Sequence, residues 1–276
     1  TLRLSSAASD VYKRQAYVIA HLAQQQSLAN TTFITASAGN HGLSVAAGAK
    51  TFGAKSVVYL SHTVPETFAE KLRLQGAKVC RKGNDYEASM TAAAKAATAN
   101  SWVLLSDSSW PGNTELPRRL MEGYLVMAAE IVKQMTSAPT HIFLQAGVGG
   151  LAAACAAYFR STWVDAPNIT VVEPEAAPAL HDAIQAGRVV SATGPVSSMG
   201  RLDCKEASMI ALNGLARDAD RFVLLSDDEV EGVMPDLADL GLATTPSGGA
   251  GLAAALLGKV DLPSDARILV ILSEEA

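Results

Sequence analysis

Aromatic residues are scarce in this chain, 5% of 276, and cysteine is scarcer still. The three cysteines, Cys80, Cys155 and Cys204, include no pair at metal-site or redox-motif spacing. Their odd number also argues against a disulfide framework. A reducing, cytoplasmic setting is therefore the expectation. Excess positive charge is absent as well: 22 Lys and Arg face 27 Asp and Glu, for a net charge of −5. Without a basic footprint, nucleic acid is not an expected partner. Long apolar runs are missing too. Stretches such as 151–159 fall well short of the roughly 20 residues a membrane helix needs, so no membrane association is expected. The first residues hold no apolar run flanked by positive charge, so no secretory leader is expected.

What is present is 49% hydrophobic and 18% charged, a globular balance, with small residues in place of aromatics. Short β-branched or apolar runs alternate with amphipathic stretches. Strands are predicted near 33–35, 56–60, 77–80, 102–105, 142–144, 169–172, 222–225 and 268–272. Helices are predicted near 41–52, 65–76, 86–100, 116–135, 151–159, 177–186, 206–215, 229–240 and 251–257. Such alternation implies parallel sheets covered on both faces. Residues 1–15 stand apart. They carry no clear period, and SSAASDVYKRQ reads as appended, foreign sequence, with a genuine flexible N-terminus as the alternative.

Two strand-to-helix turns carry the chemical signal. Gln145-Ala146-Gly147-Val148-Gly149-Gly150-Leu151 opens a helix with glycines, which suits backbone amides holding a phosphate. The same segment also fits a dinucleotide fingerprint through Gly147, Gly149 and Ala152. Glu173, 21 residues beyond Ala152, stands where a ribose-binding acid belongs. Thr35-Ala36-Ser37-Ala38-Gly39-Asn40-His41-Gly42 is a second turn of this kind, suited to a carboxylate. A dinucleotide enzyme has no use for that second turn. Asn40 also reads as a helix cap, and His41 as a structural hydrogen-bonding residue.

Ser37 to Gly42 resembles the asparagine loop of the fold type II pyridoxal-phosphate enzymes, among them threonine and serine dehydratases and the tryptophan synthase β chain. The resemblance implies an α/β fold of two domains, each a mostly parallel twisted sheet with helices on both faces. It implies pyridoxal 5′-phosphate as cofactor, with a phosphate loop at Gly147, Val148, Gly149, Gly150 and Leu151. Asn40 would face the cofactor ring oxygen, and Ser273 at the last strand would meet the pyridine nitrogen. Ser37, Ala38, Gly39 and His41 would line the substrate carboxylate site. Stretches including 106–110, 121–124, 139–149 and 172–174 resemble diaminopropionate ammonia-lyases. That likeness implies an acid/base role for Asp107, although the approach to Pro111 also permits helix capping there. It further implies α,β-elimination on a small amino acid and a homodimeric assembly. A threonine or serine dehydratase is the alternative, and a cofactor-binding chain without turnover is another.

Two positions depart from the lyase pattern. Ala38 stands where those enzymes can carry an Asp before Gly-Asn-His. The lysine that holds the cofactor covalently is expected six residues before Tyr17, where Val11 stands, with Lys13 out of register. Weaker candidates are 197–204, SSMGRLDC, placed near the cofactor by the resemblance, and Arg201 within it, as an anion ligand or an ordinary surface residue. Ser247-Gly248-Gly249 reads as a helix-entry turn or a pocket wall. The expected division is 31–122 for a small inserted domain, with 1–30 and 123–276 forming the larger one.

Overall fold

The computed structural model describes residues 11–274, with side chains described from residue 17 onward. Ten helices and eight strands alternate within them. The strands form two four-stranded sheets, every pairing parallel. Among the described residues no helix is long and apolar enough to cross a membrane.

The first compact unit holds 11–107 and 115–123. Its strands are β1 (Thr32–Ala36), β2 (Lys55–Leu60), β3 (Lys78–Arg81) and β4 (Val103–Leu104), ordered β3-β2-β1-β4. Side chains alternate across a strand, so neighbouring valines serve opposite faces. Val58 packs with Ala46 of α2 (Asn40–Thr51) and with Ala69 and Leu72 of α3 (Glu66–Leu74). Val57 packs with Ala93 and Ala97 of α4 (Tyr86–Asn100). The alanines let these helices approach the sheet closely, which explains how a core forms with so few aromatics. Helix α1 (Val11–Gln25) packs on α2 and clusters with this unit. The expected division grouped 1–30 with the other domain. Residues 1–10 of the suspected foreign segment lie outside the described residues.

The second unit holds 108–114 and 124–274. The long α5 (Glu115–Gln134) contributes its first nine residues to one unit and its remainder to the other. The strands here are β5 (His141–Gln145), β6 (Asn168–Pro174), β7 (Arg221–Leu225) and β8 (Ile268–Val270), ordered β7-β6-β5-β8. The helices are α6 (Gly150–Trp163), α7 (Ala179–Ala186), α8 (Met209–Asp218), α9 (Asp227–Asp239) and α10 (Pro246–Leu256). Phe143, Val172 and Leu225 share one core with Val230, Val233 and Leu237 of α9 and Ala250, Ala253 and Ala254 of α10.

Helix α10 starts five residues before its predicted start and takes in Ser247, Gly248 and Gly249. Thr245 caps it and Pro246 occupies its first turn. Three glycines obscured these signals, since glycine disfavours helix. Packing requires them: a methyl on Gly248 would lie 2.6 Å from Thr244 Oγ1, and one on Gly251 3.2 Å from the Phe143 carbonyl.

Leu72 is fully buried between α3 and β2. Leu72→Ala is expected to lower stability by about 2–5 kcal/mol through the cavity it leaves. Urea titration reads this as a lower midpoint at unchanged slope.

Candidate functional site

The two sheets share one topology, and it determines where ligands can bind. In the first, the chain runs β1, β2, β3 outward and returns to place β4 on the other side of β1. In the second, β5, β6 and β7 run outward and β8 returns beside β5. At β1 beside β4, and at β5 beside β8, the outward stepping of the strand order reverses. That opens a crevice at the carboxyl ends of the strands. The asparagine loop follows β1, and Asp107 lies shortly after β4. The glycine loop follows β5, and Ser273 lies shortly after β8. Within each unit, then, the residues singled out from sequence flank its own switch point.

The loop after β1 is held tightly. Ser37 is buried, and its Oγ accepts from the Gly39 amide at 3.2 Å. Gly39 caps α2 in extended conformation, and Asn40, half-buried, begins the helix rather than capping it by its side chain. Ala38 is half-buried beside them. Glycine is required at position 42, where a methyl would meet the Ser37 carbonyl at 2.8 Å. His41 is buried, with Nε2 3.1 Å from both the Leu105 carbonyl and Thr35 Oγ1. A carbonyl only accepts, so Nε2 carries the hydrogen. His41 thus ties the start of α2 to the end of β4 across the crevice mouth. Its Nδ1 is buried with no hydrogen-bond partner among the described residues.

Asp107 caps no helix, since α5 begins at Glu115 after Thr114. It is half-buried, and its carboxylate accepts from the Tyr86 hydroxyl at 3.3 Å. The capping alternative for this residue is therefore set aside.

In the second unit, Gly147 and Val148 are half-buried, Gly149 and Gly150 buried, and Leu151 half-buried at the start of α6. Gly149 adopts φ +95, open to glycine and costly for other residues, and no side chain caps α6. A methyl on Gly147 would lie 3.0–3.2 Å from Cys204 Sγ, the Arg201 carbonyl and Leu202 Cα. The loop 197–204 therefore backs directly onto the glycine turn. The Val148 carbonyl accepts from the Ser208 amide at 2.9 Å. Carbonyl and following amide point oppositely across a planar peptide. The Gly149 N–H is thereby turned away from Ser208. Ser208 is fixed in turn, its Oγ 2.8 Å from Ser109 Oγ, whose oxygen accepts from the Ile210 amide. A long helix with uncapped amides behind a glycine turn fits a phosphate group.

Two residues of the β5–β8 crevice escaped the sequence reading as working parts. Gln145 is buried, and its Nε2 lies 2.7 Å from the Ile271 carbonyl and 3.1 Å from both the Gly248 carbonyl and Ser273 Oγ. Glu274 accepts from Thr245 Oγ1 at 2.5 Å and lies 3.4 Å from Arg201 Nε. Arg201 is thus paired beside Ser273. A polar residue closing a buried strand directly after Ile142, Phe143 and Leu144 was the available signal for Gln145.

Glu173 removes the support for the dinucleotide alternative. It is fully buried, and its two oxygens accept from the Leu180 and His181 amides at 2.7 and 2.8 Å. Both are committed to the start of α7, so neither serves a ribose. Burial pushes its carboxyl up to about 8, against the lowering effect of the two amides. The folded chain thus keeps a proton that the unfolded chain releases near 4.5. Stability from this group is full below pH 4.5 and declines as pH rises toward 8. The slope is at most about 1.4 kcal/mol per pH unit. Glu173→Gln is expected to flatten that decline, read by urea melts across this range.

A family model described as pyridoxal-phosphate dependent enzyme matches residues 11–274. That match takes in 11–15, which the sequence reading set apart. Diaminopropionate ammonia-lyase of Salmonella typhimurium is 34% identical over 212 residues, 74% of this chain and 52% of that protein. L-Threonine ammonia-lyase of Geobacter sulfurreducens is 26% identical over 228 residues, 82% of this chain and 54% of that protein. The chain thus spans about half the length of these relatives. A crystal structure of diaminopropionate ammonia lyase from Escherichia coli in complex with D-serine superposes with TM-score 0.87 at 25% identity, covering 96% of this chain and 76% of that one.

Proposed function

The chain belongs to the pyridoxal-phosphate dependent enzyme family, and from that premise we propose that its site is built for α,β-elimination on a small amino acid, the conversion of 2,3-diaminopropionate to pyruvate and ammonia. The observation that carries this reading is the paired switch-point arrangement, with a phosphate-type glycine turn in one unit and a carboxylate-type turn in the other. The 34% identity to the Salmonella lyase supports the substrate.

Amides of Gly147, Val148, Gly149, Gly150 and Leu151 would hold the cofactor phosphate at the start of α6. The Ser273 hydroxyl would serve the pyridine nitrogen, and Asn40 the ring oxygen. When bound, pyridoxal phosphate supplies an electron sink for charge developing at the substrate Cα. Ser37, Ala38, Gly39 and His41 line the place of the substrate carboxylate, where the start of α2 offers free amides. Asp107 is the proton-transferring group, taking the Cα proton or protonating the departing amine, with Tyr86 orienting its carboxylate.

The Geobacter relative and Ala38, in place of a second acid, favour a dehydratase as the alternative. With one acid fewer, a chain whose lysine-bearing segment is restored is expected to prefer L-2,3-diaminopropionate over the D-isomer, measured as pyruvate release from each. Equal rates on both isomers would refute the stereochemical part. Faster release from L-threonine or L-serine would replace the lyase reading with the dehydratase one.

Val11 occupies the position assigned by register to the cofactor lysine, and its side chain lies outside the described residues. We propose that the chain binds pyridoxal phosphate without a covalent link and turns over poorly. Borohydride reduction followed by peptide mass mapping is expected to find no labelled residue. Exchange of residues 1–15 for the matching segment of the Salmonella relative is expected to give pyruvate formation. An adduct on Lys13 would overturn the register. In the exchanged chain, Asp107→Asn is expected to lower turnover by roughly 100-fold or more if it transfers protons. Unaltered turnover would remove it from the reaction. Val148→Asp places a negative charge in the phosphate turn without glycine-specific strain. Repulsion at short range is expected to weaken pyridoxal-phosphate binding at least about tenfold at unchanged melting temperature, followed by cofactor absorbance.

A further inference from the structure

Two helices begin beside the glycine turn, and they differ in how their first amides are used. Helix α6 starts at Gly150, directly after the turn, with no side-chain cap. Helix α8 packs against α6, and a methyl on Gly149 would lie 3.2 Å from the Ala211 methyl of α8. The start of α8 is committed to the protein itself. The Ser208 amide donates to the Val148 carbonyl at 2.9 Å and the Met209 amide to the Ser109 carbonyl at 2.9 Å. The Ile210 amide donates to Ser109 Oγ at 2.9 Å. Three of the four amides that a helix start leaves open are thereby closed. Ser208 precedes α8 without capping it by its own side chain, and Ser109 caps it from another part of the chain.

Ser109 and Ser208 belong to the same compact unit, and both are buried, at 3% and 0% exposure. The Ser109 amide donates to Ser208 Oγ at 3.1 Å, and the two hydroxyl oxygens lie 2.8 Å apart. Each oxygen thus accepts from one amide, and one hydroxyl donates to the other. Without the Ser109 hydroxyl, the Ile210 amide and one side of Ser208 Oγ would lose their partners away from water, which is costly. The start of α8 would shift to relieve that cost. The Ser208–Val148 bond, made by the residue that precedes α8, would loosen with it.

We infer that Ser109 is a positioning residue for the cofactor phosphate: it closes the start of α8, and through Ser208 and the Val148 carbonyl it keeps the Gly149 N–H aimed into the turn. The inference rests on the cofactor placement proposed above. The Val148 carbonyl and the Gly149 N–H share one planar peptide, so one cannot rotate without the other. Glycine at φ +95 puts few steric barriers in the way of such a rotation. The direction of this N–H is therefore set by the Ser208 amide rather than by the turn's own sterics. Closing the amides of α8 also removes a second place where an anion would settle, and leaves the start of α6 to the phosphate.

The test compares binding of pyridoxal phosphate with that of pyridoxal, which keeps the ring and lacks the phosphate. The chain as it stands is expected to prefer pyridoxal phosphate by at least about a hundredfold, the effect of two or more hydrogen bonds to a charged group. Ser109→Ala removes the hydroxyl and leaves the backbone contacts. It is expected to lower that preference roughly five- to tenfold, by weakening pyridoxal phosphate alone. Ser208→Pro removes the amide that meets Val148, at a position whose φ of −65 already suits proline. It is expected to lower the preference at least as far, with no further loss when Ser109→Ala is added, since both act through one bond. A purely structural role for Ser109 would weaken both probes alike and leave the ratio intact. That result, in a folded Ser109→Ala variant, overturns the inference while the phosphate site stands. Should Ser109→Ala fail to fold, Ser208→Pro reads the same ratio, and an unchanged ratio there overturns the inference as well. A chain that binds both probes equally removes the phosphate from the glycine turn, and this inference with it. A chain that binds neither refutes the cofactor placement itself.

Discussion

Each sheet of this protein places its first and last strands side by side, and the loops singled out from sequence owe their placement to that pairing. A parallel strand cannot be followed directly by its neighbour, so a helix must cross over each time. When the crossover direction reverses, two adjacent strand ends are left without a connection above them. Ala36 and Leu104 end the strands of one such pair, β1 and β4, and Gln145 and Val270 end those of the other, β5 and β8. Had β4 added beyond β3, or β8 beyond β7, neither crevice would exist. The motifs would then lie under ordinary crossover connections.

Fixed polar groups then shape each crevice. In one unit, His41 joins two strand ends through the Leu105 carbonyl. In the other, Ser208 holds the Val148 carbonyl while Gln145 holds the segment after β8. All are buried or nearly so, where an unmet hydrogen bond is costly. That cost makes the loops stiff without bulky packing, which suits a chain low in aromatics. Glu173 works in the same way: a buried carboxyl closes the start of α7, a helix with no side-chain cap of its own at Pro178.

The resemblance leads to the expectation of a covalent lysine at the position of Val11, the first residue of α1. The two turns do not depend on that residue. Their shape comes from glycine at 42, 147 and 149 and from the strand order around them.

By itself, the sequence determined the alternation of strands and helices, the two glycine-bearing turns and the parallel character of the sheets. Those features are local: β-branched runs, small residues before a helix and amphipathic periods are set within a dozen residues. Tertiary structure alone decided the rest. The early start of α10 is hidden by glycines whose purpose is visible only against Thr244 and Phe143. The association of α1 with the first unit follows from its packing on α2. Glu173 reads equally well as a ribose ligand until Leu180 and His181 are seen to occupy both of its oxygens. Gln145 could not be assigned because its partners, Gly248, Ile271 and Ser273, lie more than a hundred residues away. A hydrogen bond's direction depends on every group that meets it, and those groups are assembled only by the fold.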